Sequence, residues 1–228
     1  MSNNVRLDEI LNIVNNKGSV SIQELSEKTY ASRSTVRRDL DRLEQQGLLR
    51  RRHGGAESIL ELRPPQIVRR QHNQTQKKMI AEKAASFVEA GSTIFIDAST
   101  TVQYIIPYLA RIERLTVYTN GVDTAMRLAE NRIRAVCTGG EIFFESMAYI
   151  GTAAIDTLRN VYFDAVFFSS AGFDGEVVSD WSEAETALRR VAMEQSAKKY
   201  LLADDTKREK RFTHIVCRVS ELDEIICC

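Results

Sequence analysis

The stretch from residue 32 to residue 56 constrains the fold of this chain more than any other, because it predicts one short helix followed by a tight hairpin. Val36, Leu40 and Leu43 lie at i, i+4 and i+7 and therefore share one apolar stripe. Serines stand ahead of this stripe, at positions that suit a helix N-cap. The consecutive glycines Gly54 and Gly55 permit the tight turn of a hairpin.

The opposite face of this helix is basic and carries hydroxyl groups. At about 100° per residue it presents Ser34, Arg38 and Arg42, with Arg37 on its flank, and Gly47 suits the helix end. Arginine reads guanine edges, whereas serine, threonine and helix N-termini hold phosphates. A solvated helix with surface arginines is the alternative, but seven basic residues against three acidic ones favour DNA binding. The predicted DNA-binding residues are Arg33, Ser34, Thr35, Arg37, Arg38, Arg42, Arg50, Arg52, His53, Gly54 and Gly55.

The preceding residues supply the rest of a winged helix-turn-helix. Two segments, Val5–Asn16 and Ile22–Thr29, have helical apolar spacing and are separated by a short extended piece. Residues 1–56 carry ten Lys and Arg against seven Asp and Glu, although the formal net charge of the whole chain is zero. A basic N-terminal segment followed by an acidic remainder fits a DNA-binding domain joined to a small-molecule sensor.

Residues 75–228 predict an α/β fold in which buried strands alternate with helices. The predicted strands are Thr93–Ile96, Leu115–Tyr118, Ile133–Cys137, Ala165–Phe168 and Tyr200–Ala203. The predicted helices between them are Thr101–Leu109, Val122–Asn131, Ile155–Asn160 and Glu183–Ala197. Continuous apolar strands between helices indicate a parallel sheet that is covered on both faces. We therefore predict a DNA-binding domain over residues 1–57, a linker containing Pro64-Pro65 over 58–74, and an α/β sensing domain over 75–228, to which the family resemblance given below adds oligomerisation.

Polar residues recur where these strands end. They are Asp97, Ser99, Thr100, Thr101, Asn120, Gly121, Gly139, Gly140, Asp204 and Lys207. In open α/β sheets the ligand lies outside the carboxyl ends of the strands. A helix start and Lys207 favour a phosphate, and Asp97 and Asn120 suit sugar hydroxyls. Ordinary turn chemistry explains each position singly, but together they predict a pocket for an anionic polyol.

Other classes of protein fit the sequence poorly. The four cysteines form no CxxC pair and the three histidines are scattered, so we expect no metal and no cofactor. Cys137 and Cys217 lie inside apolar runs and are predicted to be buried. The absence of a signal peptide and of an apolar run of ~18 residues predicts a cytoplasmic protein without a membrane partner. The final apolar run, Ile225–Cys228, predicts a strand and leaves a continuation open.

The N-terminal segment resembles the DNA-binding domain of the DeoR-type bacterial transcriptional repressors. The string RRDL at residues 37–40, followed by HGGA at residues 53–56, carries the resemblance. Further matching residues are Arg6, Ile10, Val20, Leu25, Ser32, Thr35, Val36, Leu43, Gly47, Leu48 and Arg50. The resemblance implies a recognition helix in operator DNA, a homodimer or homotetramer, and repression of a sugar-metabolism operon.

The C-terminal segment resembles the effector domain of the same family, a Rossmann-like domain similar to ribose-5-phosphate isomerase and glucosamine-phosphate deaminase. The family motif DxGTT stands here as residues 97–101, with Ser99 at the position of its glycine, and ADxxK stands as residues 203–207. A helix signature matches at Glu185, Arg189 and Arg190. The resemblance implies a phosphorylated sugar as the effector. The predicted effector-binding residues are Asp97, Ser99, Thr100, Thr101, Asn120, Gly121, Gly139, Gly140, Gly172, Glu185 and Lys207.

The sequence argues against catalysis. Ala171 stands where the isomerases place the first Asp of their catalytic loop, and the glycine-rich run before their carboxylate helix is absent. General base catalysis needs a positioned acid-base group, so we predict no enzyme and no catalytic residue. Two alternatives stay open: a sugar-phosphate isomerase-like enzyme with a DNA-binding appendage, and a ligand-independent regulator whose α/β domain only dimerises.

Overall fold

The computed structural model describes residues 3–46, 48–58 and 66–228, so the predicted helix end at Gly47 and the linker prolines Pro64-Pro65 lie outside the described residues. The chain divides into two compact units, Met1–Arg69 and Arg70–Cys228. Each unit has its own hydrophobic core.

The N-terminal unit is a winged helix-turn-helix. Its elements are α1 (Asn3–Lys17), β1 (Ser19–Ser21), α2 (Ile22–Thr29), α3 (Arg33–Gln45), β2 (Leu49–Arg52) and β3 (Gly55–Ser58). The strands form one antiparallel sheet in the order β1-β3-β2. Side-chain caps start both helices of the motif, because Ser21 accepts a hydrogen bond from the Glu24 N–H and Ser32 accepts one from the Thr35 N–H.

The apolar stripe predicted on α3 forms the centre of this unit's core. Val36 and Leu40 have no solvent exposure and Leu43 has 2%. They pack with the buried side chains Ile10 and Leu25 of α1 and α2. The helix is therefore held by one face, and its opposite face is left to the solvent.

The C-terminal unit is an α/β domain built on a parallel sheet. Its elements are α4 (Gln66–Gln71, which spans the division), α5 (Gln74–Ala85), β4 (Thr93–Ile96), α6 (Ile106–Leu109), β5 (Thr116–Thr119), α7 (Val122–Glu130), β6 (Arg134–Cys137), β7 (Glu141–Phe143), β8 (Ala148–Ile150), α8 (Thr152–Arg159), β9 (Phe163–Phe168), β10 (Gly172–Phe173), β11 (Val177–Asp180), α9 (Glu183–Glu194), β12 (Ser196–Ala203), β13 (His214–Arg218) and β14 (Glu224–Cys227). Six strands pair in parallel in the order β14-β12-β9-β4-β5-β6.

Side chains alternate between two cores across this sheet. Within β4, Ile94 and Ile96 pack into one cluster and Phe95 packs into the other. Burial on both faces explains the continuous apolar strands in the sequence. Two small antiparallel sheets, β10-β11-β13 and β7-β8, complete the unit. In the parts of the chain that the structure describes, every helix is too short or too polar to cross a membrane.

Three expectations differ from the structure. The helix predicted over Thr101–Leu109 is a 3₁₀ turn, Val102–Ile105, followed by α6, which begins with Pro107 in its first turn, a residue that cannot donate a backbone hydrogen bond. The helix predicted to reach Ala197 ends at Glu194, because Ser196 already pairs with β9. Cys137 is exposed because it ends β6, an edge strand, whereas Cys217 is buried as predicted.

Candidate functional sites

The N-terminus of α3 presents a cluster of hydroxyl groups. The Oγ atom of Ser32 lies 2.9 Å from both the Ser34 Oγ and the Thr35 Oγ1. Ser32 and Ser34 are exposed, and Thr35 is half-buried. The free backbone N–H groups of a helix N-terminus and its dipole add to the attraction for phosphate at this end.

The outer face of α3 carries four arginines that are free to meet an external partner. Arg33, Arg37, Arg38 and Arg42 are exposed. No ion pair or hydrogen bond engages their side chains within residues 3–46, 48–58 and 66–228. Exposed arginines with unoccupied donors along one helix suit the base edges and phosphates of a major groove.

The inner side of α3 is tied to α1 by a largely buried ion pair. The Arg6 Nε lies 2.6 Å from the Asp39 Oδ2, and Asp39 is 5% exposed. The hydrogen bond to Asp39 raises the pKa of Arg6 above its usual value. Asp39 therefore belongs to the scaffold of the helix, although it stands beside the exposed Arg38 in the sequence.

The hairpin that follows α3 is basic, but its arginines pair with acids of the same unit. The Glu57 carboxylate lies 3.6 Å from Arg50 and 2.5 Å from Arg52, and it raises the pKa of Arg52. The Arg51 Nε lies 3.2 Å from an Asp41 oxygen. The pairs hold the hairpin in shape, and only the exposed turn at His53 carries no such pair among the described residues.

The hairpin turn uses its two glycines for different reasons. Gly54 has φ +83°, which favours glycine because it has no Cβ. A Cβ at Gly55 would lie 2.2 Å from the carbonyl oxygen of Val20. Gly54 therefore provides the turn, and Gly55 lets β3 approach β1 closely.

The second site lies at the carboxyl ends of the parallel strands. Asp97 follows β4, Asn120 follows β5, and Asp204 follows β12. Because these strands run parallel in one sheet, the loops that follow them lie at the same edge. The structure thus brings together residues that are more than a hundred positions apart in the sequence.

Asp97 is the centre of a buried network. Its Oδ2 atom lies 2.9 Å from the Arg189 Nε, and its carboxylate accepts hydrogen bonds from the backbone N–H groups of Ser99 and Ser169. Asp97 is 1% exposed. The carboxylate therefore fixes the loop after β4 against the loop after β9, and its oxygen atoms are engaged within the protein.

Arg189 joins three carboxylates. Beside Asp97, it lies 2.8 Å from Asp180 and 3.7 Å from Glu185. Burial alone would lower the pKa of Arg189, but the charges of Asp180, Asp97 and Glu185 outweigh burial and raise it. Glu185, predicted to bind the effector, is 6% exposed and lies in this cluster.

Asn120 and Gly121 join further loops. The Asn120 Oδ1 accepts a hydrogen bond from the Ala98 N–H at 3.1 Å, and its Nδ2 donates to the Tyr149 carbonyl at 3.2 Å. A Cβ at Gly121 would lie 2.9 Å from the Ala98 Cα, so only glycine lets the two loops approach this closely. These two residues therefore lock the loop after β5 against those before and after it.

Two lysines from different elements donate to hydroxyl groups in the loops after β4 and β9. The Lys207 Nζ donates to the Ser169 Oγ at 2.7 Å, and the Lys77 Nζ donates to the Thr100 Oγ1 at 3.3 Å. The pKa of Asp204 lies below its ordinary value. Burial alone would raise this pKa, but the charge of Lys207 is the largest influence that lowers it, and the charge of Lys77 lowers it further. The charges of both lysines are therefore felt at one carboxylate.

Lys77 is the site residue that the sequence reasoning missed. It is 3% exposed and lies in α5 on the face of Ile80, Ala81 and Ala84, which are fully buried. A lysine at a core position of an amphipathic helix was the available signal, since buried lysines are paired or functional.

His72 adjoins the same charges. Burial lowers the pKa of His72, while Asp204 raises it and Lys77 lowers it further. The imidazole therefore favours its neutral form and adds no fixed charge beside Lys77 and Asp204.

The remaining predicted residues lie around this network. Thr101 is 1% exposed, and the Ser99 Oγ accepts a hydrogen bond from the Val102 N–H. Gly139 and Gly140 have positive φ, and a Cβ at Gly140 would lie 2.6 Å from the Ile150 carbonyl oxygen. Gly172 packs instead against the Lys210 carbonyl. Among the described residues, no three His, Cys, Asp or Glu side chains are grouped as metal ligands.

Comparisons with known proteins cover both units. The family model described as the DeoR-like helix-turn-helix domain matches residues 6–61, and that described as the DeoR C terminal sensor domain matches residues 72–227. The uncharacterized HTH-type transcriptional regulator YgbI of Escherichia coli is 36% identical over 220 residues, which cover 95% of this chain and 86% of YgbI. The lactose phosphotransferase system repressor of Staphylococcus aureus is 34% identical over 232 residues, which cover 99% of this chain and 92% of the repressor.

Solved structures match this chain at low sequence identity. Ribose 5-phosphate isomerase A of Methanocaldococcus jannaschii matches with a TM-score of 0.45 and 14% identity, over 60% of this chain and 55% of the isomerase. The delta subunit of eIF2B from Chaetomium thermophilum matches with a TM-score of 0.52 and 13% identity, over 85% of this chain and 62% of that subunit. By its two matching domains and its curated relatives, this chain belongs to the DeoR family of DNA-binding helix-turn-helix transcriptional regulators.

Proposed function

We propose that this regulator represses a sugar-metabolism operon and that a phosphorylated sugar releases it from the operator. The observation that carries the proposal is the pair Lys77 and Lys207, which donate to Thr100 in the loop after β4 and to Ser169 in the loop after β9. The similarity to a lactose phosphotransferase system repressor supports the choice of a sugar pathway.

The chemistry of this site suits a dianionic phosphate group. Lys77 and Lys207 supply two positive charges, of which Asp204 offsets one, and His72 favours its neutral form. The turn adds the hydroxyl groups of Ser99 and Thr100. A phosphate monoester carries close to two negative charges at neutral pH and binds by charge-assisted hydrogen bonds.

The operator would be bound by α3. Its four exposed arginines and its N-terminal hydroxyl cluster supply base-reading and phosphate-binding groups on one helix. The α/β unit would join two or four copies, so that paired winged helices meet repeated half-sites in the cytoplasm.

Residues 70–77 offer a route for coupling the two sites. This segment enters the α/β unit at Arg70, whose side chain forms an ion pair with Asp123 in α7. The Tyr104 hydroxyl donates to the Arg70 carbonyl at 3.1 Å, and Lys77 at the far end contacts Thr100. A ligand that moves the Thr100 turn would therefore move the segment that leads in from the DNA-binding unit. The ligand can shift the equilibrium between the DNA-binding and the released arrangement only by the difference in the free energies with which it binds the two.

An isomerase role has less support. In the loop that would carry the catalytic carboxylates, Asp174 and Glu176 pair with Arg211 at 2.7 and 2.8 Å. Hydrogen bonds from Arg211 and from two backbone N–H groups lower the pKa of Asp174 well below its usual range, whereas a base needs a pKa near the working pH. A sensing role makes no such demand on these carboxylates.

A thermal-shift screen with phosphorylated sugars and their unphosphorylated counterparts tests the proposal. A ligand at a hundred times its dissociation constant adds about 2.7 kcal/mol of stability. We expect a phosphorylated sugar to stabilise the wild-type protein and Lys78→Met, because Lys78 is an exposed neighbour on α5. The shift should be lost in Lys77→Met and in Lys207→Met.

Two results of the screen would count against the proposal. An equal shift with phosphorylated and unphosphorylated sugars would mean that the lysines do not select a phosphate. A lack of any shift would favour the ligand-independent alternative, in which the α/β unit only joins copies of the chain.

A further inference from the structure

The turn between α2 and α3 exposes an aromatic residue. Tyr30 follows the last residue of α2 and stands two positions before Ser32, the N-cap of α3. Its side chain is 94% exposed, more than any other large hydrophobic residue among those described. Its backbone has φ 53° and ψ 28°, in the left-handed region that favours glycine.

The residues on both sides of Tyr30 are anchored. The buried Thr29 donates its hydroxyl to the Leu25 carbonyl at 2.7 Å. The Ser26 hydroxyl donates to the Ala31 carbonyl at 2.6 Å, and Ala31 packs against the core of the N-terminal unit. The turn therefore holds Tyr30 in one backbone conformation and leaves its side chain in solvent.

The stability of the unit does not explain a tyrosine at this position. A left-handed conformation costs free energy for a residue with a Cβ, and glycine would avoid that cost. The exposed ring also gains nothing from burial. Other exposed left-handed residues in the described ranges, such as Arg114 and Arg132, are charged and suit the solvent. A strained and exposed aromatic residue points to a partner outside the unit.

The position of Tyr30 identifies the partner. It stands at the same end of α3 as the hydroxyl groups of Ser32, Ser34 and Thr35 and the exposed Arg33. Tyrosine hydroxyl groups are among the recurrent donors to DNA phosphates. We propose that the Tyr30 hydroxyl donates to a phosphate of the DNA backbone and so fixes the N-terminus of α3 in the groove. The proposal rests on DNA binding by α3.

The test compares Tyr30→Phe and Tyr30→Gly with the wild-type protein, on a DNA duplex that the wild-type protein has selected from a random library. Tyr30→Phe removes only the hydroxyl group, and we expect the dissociation constant to rise about tenfold. Tyr30→Gly should weaken binding at least as much, while the melting temperature of the free protein stays equal or rises, because glycine removes the strain.

Salt dependence separates this contact from those of the arginines. A neutral hydroxyl releases no counterion, so Tyr30→Phe should leave the slope of log Kd against log salt unchanged. Arg37→Gln should reduce that slope by about 0.9. Arg114→Gly, which relieves the same backbone conformation in the other unit, should leave DNA affinity unchanged.

The affinities of these variants decide whether Tyr30 contacts DNA and whether α3 binds it. A Kd of Tyr30→Phe within twofold of the wild-type value overturns the proposal and leaves DNA binding by α3 intact. Retention of full affinity by Arg38→Ala and Arg37→Gln would instead overturn the role of α3 itself. If Tyr30→Gly unfolds the unit, Tyr30→Phe alone decides.

Discussion

Replacing Arg189 by methionine should destabilise the α/β unit more than replacing a surface arginine does. The guanidinium of Arg189 is buried between Asp97, Asp180 and Glu185, and the side chains of all four are between 1% and 8% exposed. Methionine fills a similar volume but leaves three carboxylates without their common cation.

The size of the effect follows from burial. Removing one partner of a buried ion pair costs about 3–5 kcal/mol, because the remaining charge is left without compensation. Part of the cost is recovered here, since Asp97 keeps its backbone donors Ser99 and Ser169. A loss of about 3 kcal/mol corresponds to a fall in melting temperature of about 6–12 °C for a unit of this size.

Calorimetry on the full chain measures the loss, and an exposed arginine provides the control. Arg159 forms an ion pair with Asp156 at 2.9 Å, but the two side chains are 60% and 54% exposed. Arg159→Met should cost about 0.5 kcal/mol or less. If Arg189→Met were no more destabilising than Arg159→Met, the buried cluster would not hold the loops together.

Four further predictions concern single residues of the two units. Gly55→Ala should lower the urea midpoint of the N-terminal unit by an equivalent of about 1–3 kcal/mol, because the new Cβ meets the Val20 carbonyl; an unchanged midpoint would contradict this close approach. Burial raises the pKa of the Cys217 thiol to about 12, so iodoacetamide near pH 8 should label Cys217 only in denaturant, as mass spectrometry of peptides would show. Burial lowers the pKa of His72, so the stability that depends on the neutral imidazole is complete above the ordinary pKa of histidine and is lost as the pH falls through the lowered pKa. The melting temperature of His72→Gln should therefore fall less than that of the wild-type protein between roughly pH 7.5 and 5.5. Arg70→Gln should retain binding of DNA and of the sugar phosphate but reduce the effect of one on the other, and an unchanged effect in anisotropy titrations would exclude residues 70–77 as the coupling segment.

Local patterns predicted much of the fold. The helix Ile22–Thr29 and the strand Thr93–Ile96 have the predicted bounds, because capping and apolar spacing are written within a few residues. The 3₁₀ turn before α6 and the early end of α9 were not predicted. Both depend on tertiary pairing or on hydrogen bonds that spacing does not reveal.

The candidate sites were predictable only in part. Polar residues at strand ends indicated the edge of the sheet, since strand direction follows from the alternation of elements. The partners of these residues were not predictable: Asp97 meets Arg189 across 92 positions, and Lys77 meets Thr100 across 23. Contacts between distant positions depend on packing, so one sequence gives the residue types without their pairing.

We expect a phosphorylated sugar bound beside Lys77 and Lys207 to weaken operator binding by α3. Fluorescence anisotropy of a selected duplex, titrated with and without the sugar phosphate found by thermal shift, tests it most directly. In the wild-type protein we expect the ligand to lower operator affinity by about 5- to 150-fold. In Lys207→Met the ligand should leave operator affinity unchanged. Arg38→Ala should not bind the operator at any ligand concentration. Equal operator affinity with and without a sugar phosphate that demonstrably binds would exclude this coupling between the two sites. Loss of DNA binding by a folded Lys207→Met protein would show that Lys207 does not act through the ligand.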